Sequence, residues 1–266
     1  MGRFHRHDDG TVHSHEHGDH PHTHDHGHDH GEYHADPELI GDHSGYETGR
    51  ERIEILEAIY AENDHLADHN RETFTENGVK VVNLMSSPGS GKTTLLEKTL
   101  KALQGQMRVG IIEGDIETPL DAERLDGYGA QISLLNTGHG FGGECHLDAP
   151  MVHHALDGLD LKNLDLVVIE NVGNLVCPAE FDVGETAKAM LFSITEGEDK
   201  PLKYPVMFRS VKVVVVNKID LAPYLNFDIG KFRNYLEQVN PGVKVIELSA
   251  QTGEGVEEWI EWLKAL

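Results

Sequence analysis

From residue 79 onward the chain alternates short, nearly unbroken apolar runs with longer segments whose apolar positions recur every three or four residues. The runs Val79–Met85, Arg108–Ile112, Gln131–Leu135, Leu164–Ile169, Val211–Val216 and Val243–Leu248 read as strands covered on both faces. Between and after them, Lys92–Leu103, Leu147–Leu159, Ile229–Val239 and Gly255–Leu266 carry helical spacing. This alternation predicts an α/β fold, a mostly parallel β-sheet flanked by helices. Ligands of such sheets gather outside the carboxyl ends of the strands. Upstream, Ile53, Leu56, Ile59, Tyr60 and Leu66 fall broadly on one face of a helix expected from about Arg50 to His69, packed on the domain. Residues 1–34 show neither period. The expected organisation is a disordered tail and linker over 1–49 and a folded domain with an N-terminal helix over 50–266.

The junction of the first strand and the next helix carries the most specific chemistry. Ser86-Ser87-Pro88-Gly89-Ser90-Gly91-Lys92-Thr93-Thr94 is a glycine-rich loop between an apolar run and a helix. Gly89 and Gly91 let successive N–H groups, including those of Ser90 and Thr94, turn toward one anion at the helix N-terminus. Lys92 would reach the β- and γ-phosphates, and the Thr93 hydroxyl would ligate Mg²⁺. One departure is visible: Ser86 stands five residues before Gly91, where a phosphate loop usually has its first glycine.

About 125 residues further on, four valines run into Asn217-Lys218-Ile219-Asp220. A carboxylate at Asp220 accepts from both N1–H and N2–H₂ of guanine, a donor pair adenine lacks, so the nucleotide is expected to be GTP/GDP. Asn217 can tie this loop to the phosphate loop, and the Lys218 stem can cover the base. Ser249-Ala250, at the end of the next strand, matches the short loop whose backbone N–H meets guanine O6. Two further strand ends are acidic. Asp115 in Ile111-Ile112-Glu113-Gly114-Asp115 can hold Mg²⁺ or orient the attacking water. Glu170, followed by Asn171-Val172-Gly173, stands where a Walker B carboxylate would, with Gly173 able to sense a γ-phosphate. A helix cap is the lesser, competing reading for either acid alone. No glutamine is placed as in Ras-type enzymes, so hydrolysis is expected to be slow.

Composition adds the second chemistry. The formal charge is −24, which disfavours nucleic acid and anionic membrane as partners. No apolar run nears the roughly 20 residues that span a bilayer, and the polar start has no secretory core, so a cytoplasmic location is expected. Twelve of the 19 histidines lie in residues 1–34. His13, His15, His17, His20, His22, His24, His26, His28 and His30 alternate mostly with Asp, Glu, Gly and Thr, a flexible chelating pattern for Ni²⁺ or Zn²⁺ whose spacing does not choose the metal. Of the two cysteines, Cys145 precedes His146 and Cys177 follows Glu170 by seven residues. Two thiolates and an imidazole suit Ni²⁺ or Zn²⁺, three ligands being incomplete without a second subunit; two ordinary buried thiols fit the spacing equally well.

Together these motifs resemble the HypB family of hydrogenase nickel-incorporation GTPases. The resemblance spans roughly residues 50–266. It rests on the phosphate loop, Glu113-Gly114-Asp115-Ile116-Glu117-Thr118, Glu144-Cys145-His146-Leu147-Asp148-Ala149, Glu170 to Pro178 and Asn217-Lys218-Ile219-Asp220. It implies a metal-handling P-loop GTPase that dimerises with nucleotide and carries a metal site at Cys145, His146 and Cys177. It also implies a nickel-insertion accessory protein and the hydrogenase large subunit as partners, and nickel storage by the histidine-rich segment. Some members begin with a cysteine-rich nickel motif; here no cysteine precedes Cys145. The urease accessory GTPases are a weaker match, because they lack the Glu-Cys-His-Leu-Asp-Ala element. A nickel or zinc storage protein with a regulatory GTPase domain is the alternative from another class.

Overall fold

The structure, a computed structural model, describes residues 5–6, 12–13, 49–114, 125, 127–135 and 145–266. The chain divides into two units, Met1–Glu47 and Thr48–Leu266. In the first, His5–Arg6 pairs antiparallel with Val12–His13; the expected ligands from His15 to His30 lie outside the described residues.

The second unit is built on seven strands: β1 (Lys80–Ser86), β2 (Val109–Glu113), β3 (Gln131–Leu134), β4 (Leu166–Gly173), β5 (Ala187–Ser193), β6 (Val213–Asn217) and β7 (Lys244–Glu247). They lie side by side in the order β3-β2-β4-β1-β5-β6-β7, and every neighbouring pair is parallel. Alternate side chains of each strand feed opposite layers. On β6, Val213 and Val215 join Leu95, Leu96, Trp259 and Leu263 of the helices α2 (Lys92–Leu103) and α8 (Val256–Lys264), whereas Val214 and Val216 pack with Phe208 and Phe232. The helices that carry Phe208 and Phe232 are α6 (Pro205–Ser210) and α7 (Ile229–Val239). Both faces are therefore dry, as the apolar runs imply.

Strand β5 is the element the sequence pattern does not announce. Ala, Lys, Met and Leu favour helices, and no β-branched residue occurs in Ala187–Ser193. Burial between β1 and β6 overrides that preference. Ala189 and Leu191 face one layer and Met190 and Phe192 the other, while Lys188 Nζ donates to the Ala179 and Phe181 carbonyls at 3.2 and 2.9 Å.

The N-terminal helix α1 runs Gly49–Glu76, longer than expected, and docks by a different face. Asn63, Ala67, Asn70 and Phe74 are buried, whereas Ile59 and Tyr60 remain 48% and 38% exposed. Asn63 donates to the Asp182 carbonyl (2.9 Å) and accepts from Ala149 N–H (2.9 Å); Asn70 donates to the Ala149 carbonyl (3.0 Å). Two polar residues with satisfied amides hold the helix down where an apolar stripe was expected. The expected helix over 147–159 is shorter. Asp148 caps α3 (Ala149–Ala155) by accepting from Met151 N–H at 2.8 Å, and a 3₁₀ turn follows at Leu156–Gly158.

Candidate nucleotide and metal site

Strand β1 ends at Ser86, and α2 begins at Lys92, so residues 87–91 form the phosphate loop with Thr93 and Thr94 in the first helical turn. Gly91 has φ 102°, and a Cβ there would lie 2.7 Å from Asn217 Nδ2, so only glycine fits. Lys92 Nζ donates to Ser86 Oγ at 3.1 Å, which gives a function to the serine standing in for the first glycine.

The end of β6 closes over this loop. Asn217 Nδ2 donates to the Ser90 carbonyl (2.8 Å), and its Oδ1 accepts from Lys218 N–H (2.7 Å) and Ala250 N–H (2.9 Å). Lys218, at φ 66°, donates from Nζ to the Gly89 carbonyl at 2.6 Å. Asp220 Oδ1 accepts from Ser249 Oγ at 2.6 Å. The residues expected to read the base are thus gathered at one place. The Ala250 N–H is engaged by Asn217 Oδ1, which fixes the Ser249-Ala250 loop to the Asn217-Lys218-Ile219-Asp220 segment.

Glu170, within β4, lies next to Glu113, the last residue of β2, in register, and both residues are buried (3% and 2% exposed). Gly114 N–H donates to the Glu170 carbonyl at 3.1 Å. Asp115 lies outside the described residues. Two buried acids beside a phosphate loop and the Thr93 hydroxyl are oxygen donors of the kind Mg²⁺ takes. Glu113 is legible in the sequence as the end of an apolar run, but nothing there marks it as a metal ligand. Glu196 was also missed, because it follows the unannounced β5. It accepts from Ser193 N–H at 3.0 Å and from the Ser87 hydroxyl, which braces the phosphate loop from the side.

Cys145, His146 and Cys177 come together, with one ligand atom of each within 4.8 Å of the others. Cys145 is exposed and the other two are half-buried. Cys145 Sγ stands 3.5 Å from His146 Nδ1. The imidazole lies on the Phe181 ring (centroids 4.0 Å), which stacks in turn on Tyr60 (5.4 Å). Cys177 opens the short helix α4 (Cys177–Glu180) immediately after the β4 exit. Among the described residues this is the sole group of three such side chains close enough to share an ion.

Residues 80–247 match the family model described as CobW/HypB/UreG, nucleotide-binding domain. The hydrogenase maturation factor HypB of Escherichia coli K12 is 46% identical over 224 residues, covering 84% of this chain and 76% of that protein. The chain belongs to the HypB family. HypB from Archaeoglobus fulgidus superposes with a TM-score of 0.71 at 40% identity, covering 77% of this chain and 98% of that one. HypB from Helicobacter pylori, solved in complex with nickel, does so at 0.71 and 35%, covering 77% and 94%. As expected of a HypB protein, the fold is that of a P-loop GTPase with its strands in parallel. No helix among the described residues is long and apolar enough to cross a membrane.

Proposed function

We propose that this HypB protein hydrolyses GTP with Mg²⁺ and uses the nucleotide cycle to take up and release nickel for maturation of [NiFe]-hydrogenase. Lys92 offsets phosphate charge. Thr93 and Glu170, with Glu113 beside Glu170 in register and Asp115 two residues after Glu113, would supply oxygens for Mg²⁺, which would offset the phosphate charge. Asp220 selects guanine, because leaving its carboxylate without the N1–H and N2–H₂ donors disfavours ATP. Gly89, Ser90, Gly91 and Thr94 cradle the phosphates, and Asn217, Lys218, Ser249 and Ala250 hold the base loop against them.

The observation that carries the coupling is the position of Gly173. A Cβ on it would lie 3.2 Å from Pro88 of the phosphate loop, and Cys177 follows four residues later. A γ-phosphate that draws Gly173 inward therefore acts on the segment bearing one thiol of the Cys145, His146 and Cys177 group. Three donors leave the coordination of Ni²⁺ or Zn²⁺ open, so a nucleotide-dependent homodimer completes the site. The nickel passes to an accessory insertion protein and the hydrogenase large subunit in the cytoplasm. Thermodynamic linkage demands reciprocity: if GTP changes metal affinity, metal changes GTP affinity by the same factor. Nickel and zinc titrations in apo, GDP and non-hydrolysable GTP states, with mass measured in each, test this reading. Metal affinity and mass should differ between states; identical values in all three would leave a GTPase beside a passive metal site.

Residues 1–34 serve as a store. At about two to four imidazoles per ion, twelve histidines hold roughly three to six ions. Deleting the segment should lower metal stoichiometry by that amount, and an equal stoichiometry in the deleted protein would refute storage.

A further inference from the structure

The exit of β4 carries two asparagines that the chemistry above does not use. Asn174 stands between Gly173 and Cys177, and its amide is engaged at both ends. Nδ2 donates to the Cys145 carbonyl at 3.1 Å, and Oδ1 accepts from Val176 N–H at 2.9 Å. One side chain therefore ties the backbone of the first cysteine to the residue immediately before the second. Asn171, buried on β4, accepts at Oδ1 from Leu147 N–H at 3.0 Å and donates from Nδ2 to Asn83 Oδ1 of β1 at 3.1 Å. Residues 145–147 thus hang from two side-chain bonds, one to Asn171 within β4 and one to Asn174 just past its end.

The two anchors differ in what they stand on. Asn171 is fixed inside the sheet, between β4 and β1. Asn174 follows Gly173, where a Cβ would lie 3.2 Å from Pro88 of the phosphate loop. Were Gly173 to shift, one anchor of the Cys145–Leu147 segment would move while the other stayed, and the spacing of the three donor atoms, now within 4.8 Å of each other, would change. Ligation tolerates little such change, since bonds to a metal such as zinc are about 2.3 Å to sulfur and 2.0–2.1 Å to nitrogen.

We propose that Asn174 is the positioning residue of the metal site, setting the offset between the Cys145 and Cys177 segments and carrying the movement of Gly173 to them. This rests on the reading of Cys145, His146 and Cys177 as the metal site. Outer partners that orient ligands are worth about 10- to 100-fold in metal affinity.

The test uses the full chain and Ni²⁺, followed by the near-ultraviolet thiolate-to-nickel charge-transfer band, to which the histidine-rich segment contributes nothing. Asn174→Ala removes both bonds. Asn174→Ser keeps an acceptor for Val176 N–H but is too short for the Cys145 carbonyl, so it preserves the local turn. In both variants the affinity read from the band should fall about 10- to 100-fold in the GDP state, and the ratio of affinities between GDP and non-hydrolysable GTP should collapse toward one. A wild-type ratio in both variants would overturn the role of Asn174. A wild-type protein with no thiolate band would instead remove the underlying Cys/His reading.

Discussion

At the base-reading edge the motif residues hold one another. Asn217 grips the Ser90 carbonyl and the Ala250 N–H, Lys218 reaches the Gly89 carbonyl, and Asp220 accepts from Ser249. At the exit of β4, by contrast, the three metal-type donors are braced by residues that cannot bind metal there: Asn171 and Asn174 through backbone groups, Phe181 through the face of His146. A self-braced set keeps its geometry in every state, which suits the recognition of a base. An externally braced set can be displaced by moving its supports, which suits a cargo that must leave. On the proposed reading, the base-reading residues form the more rigid set and the Cys145, His146 and Cys177 group the more displaceable one.

The largest expected effect lies on the rigid side. Lys92→Ala should reduce GTP hydrolysis by at least about 10³-fold, since it removes the fixed charge that faces the transferring phosphoryl group. Phosphate release in steady state, with and without Mg²⁺, checks this; hydrolysis at the wild-type rate would displace the site from this loop. The displaceable side should respond separately. Cys177→Ser removes a ligand, so the thiolate–nickel band should weaken at least about 100-fold, beyond the cost of losing an outer partner. GTP hydrolysis measured without nickel should remain, because Cys177 is not among the residues proposed to hold the nucleotide or Mg²⁺. A loss of both activities together would erase the distinction between the two regions.

A finer cut is available inside the base-reading edge. Ser249→Ala deletes the hydroxyl that donates to Asp220 Oδ1. The carboxylate then keeps its position less well, and GDP affinity should drop by about tenfold, the worth of one charge-assisted hydrogen bond. The preference for GDP over ADP should fall with it. Calorimetric titration with both nucleotides reads the ratio, and an unchanged ratio would show that Asp220 needs no brace.

The same contrast explains what could be read from the chain in advance. Four valines running into Asn217 announce a buried strand and its terminal chemistry in one stretch, and the phosphate loop lies between an apolar run and a helix. Such signals are local, so they survive in one dimension. Strand β5 left no such mark, because its residues have helical preferences and only burial between β1 and β6 makes them extended. Glu196 was lost with it. For α1 the period was right but the face was wrong: Asn63 and Asn70 become interior only because Ala149 and Asp182 offer partners far along the chain. Cys145 and Cys177 were legible as a candidate pair, yet Asn171 and Asn174 were not, since an asparagine that bonds a distant backbone group has no sequence signature. Asp115 and most of the histidine-rich segment lie outside the described residues.

The smallest expected effect serves as a control at the opposite end of the sheet. Asp165 precedes β4 at its amino end and receives Arg108 Nη2–H at 2.5 Å and Arg108 N–H at 2.8 Å. With a third bond from Arg108 Nε–H at 3.1 Å, the side-chain and backbone donors of Arg108 lower the pKa of Asp165 from 3.8 to about 2. A depressed carboxyl pKa stabilises the folded state above the unfolded value, near 4, and that contribution is lost as pH falls through about 4 to 2. The side chain is 38% exposed, so solvent screening cuts the contribution to under about 1 kcal/mol. Asp165→Asn should therefore cost less than that at pH 7, with the difference from wild type shrinking as urea unfolding is repeated down to about pH 3. GDP and nickel affinities should not move, because neither the self-braced base edge nor the supports at the β4 exit touch this pair. A gap that widened in acid would mean that the Arg108–Asp165 pair is not what holds this corner together.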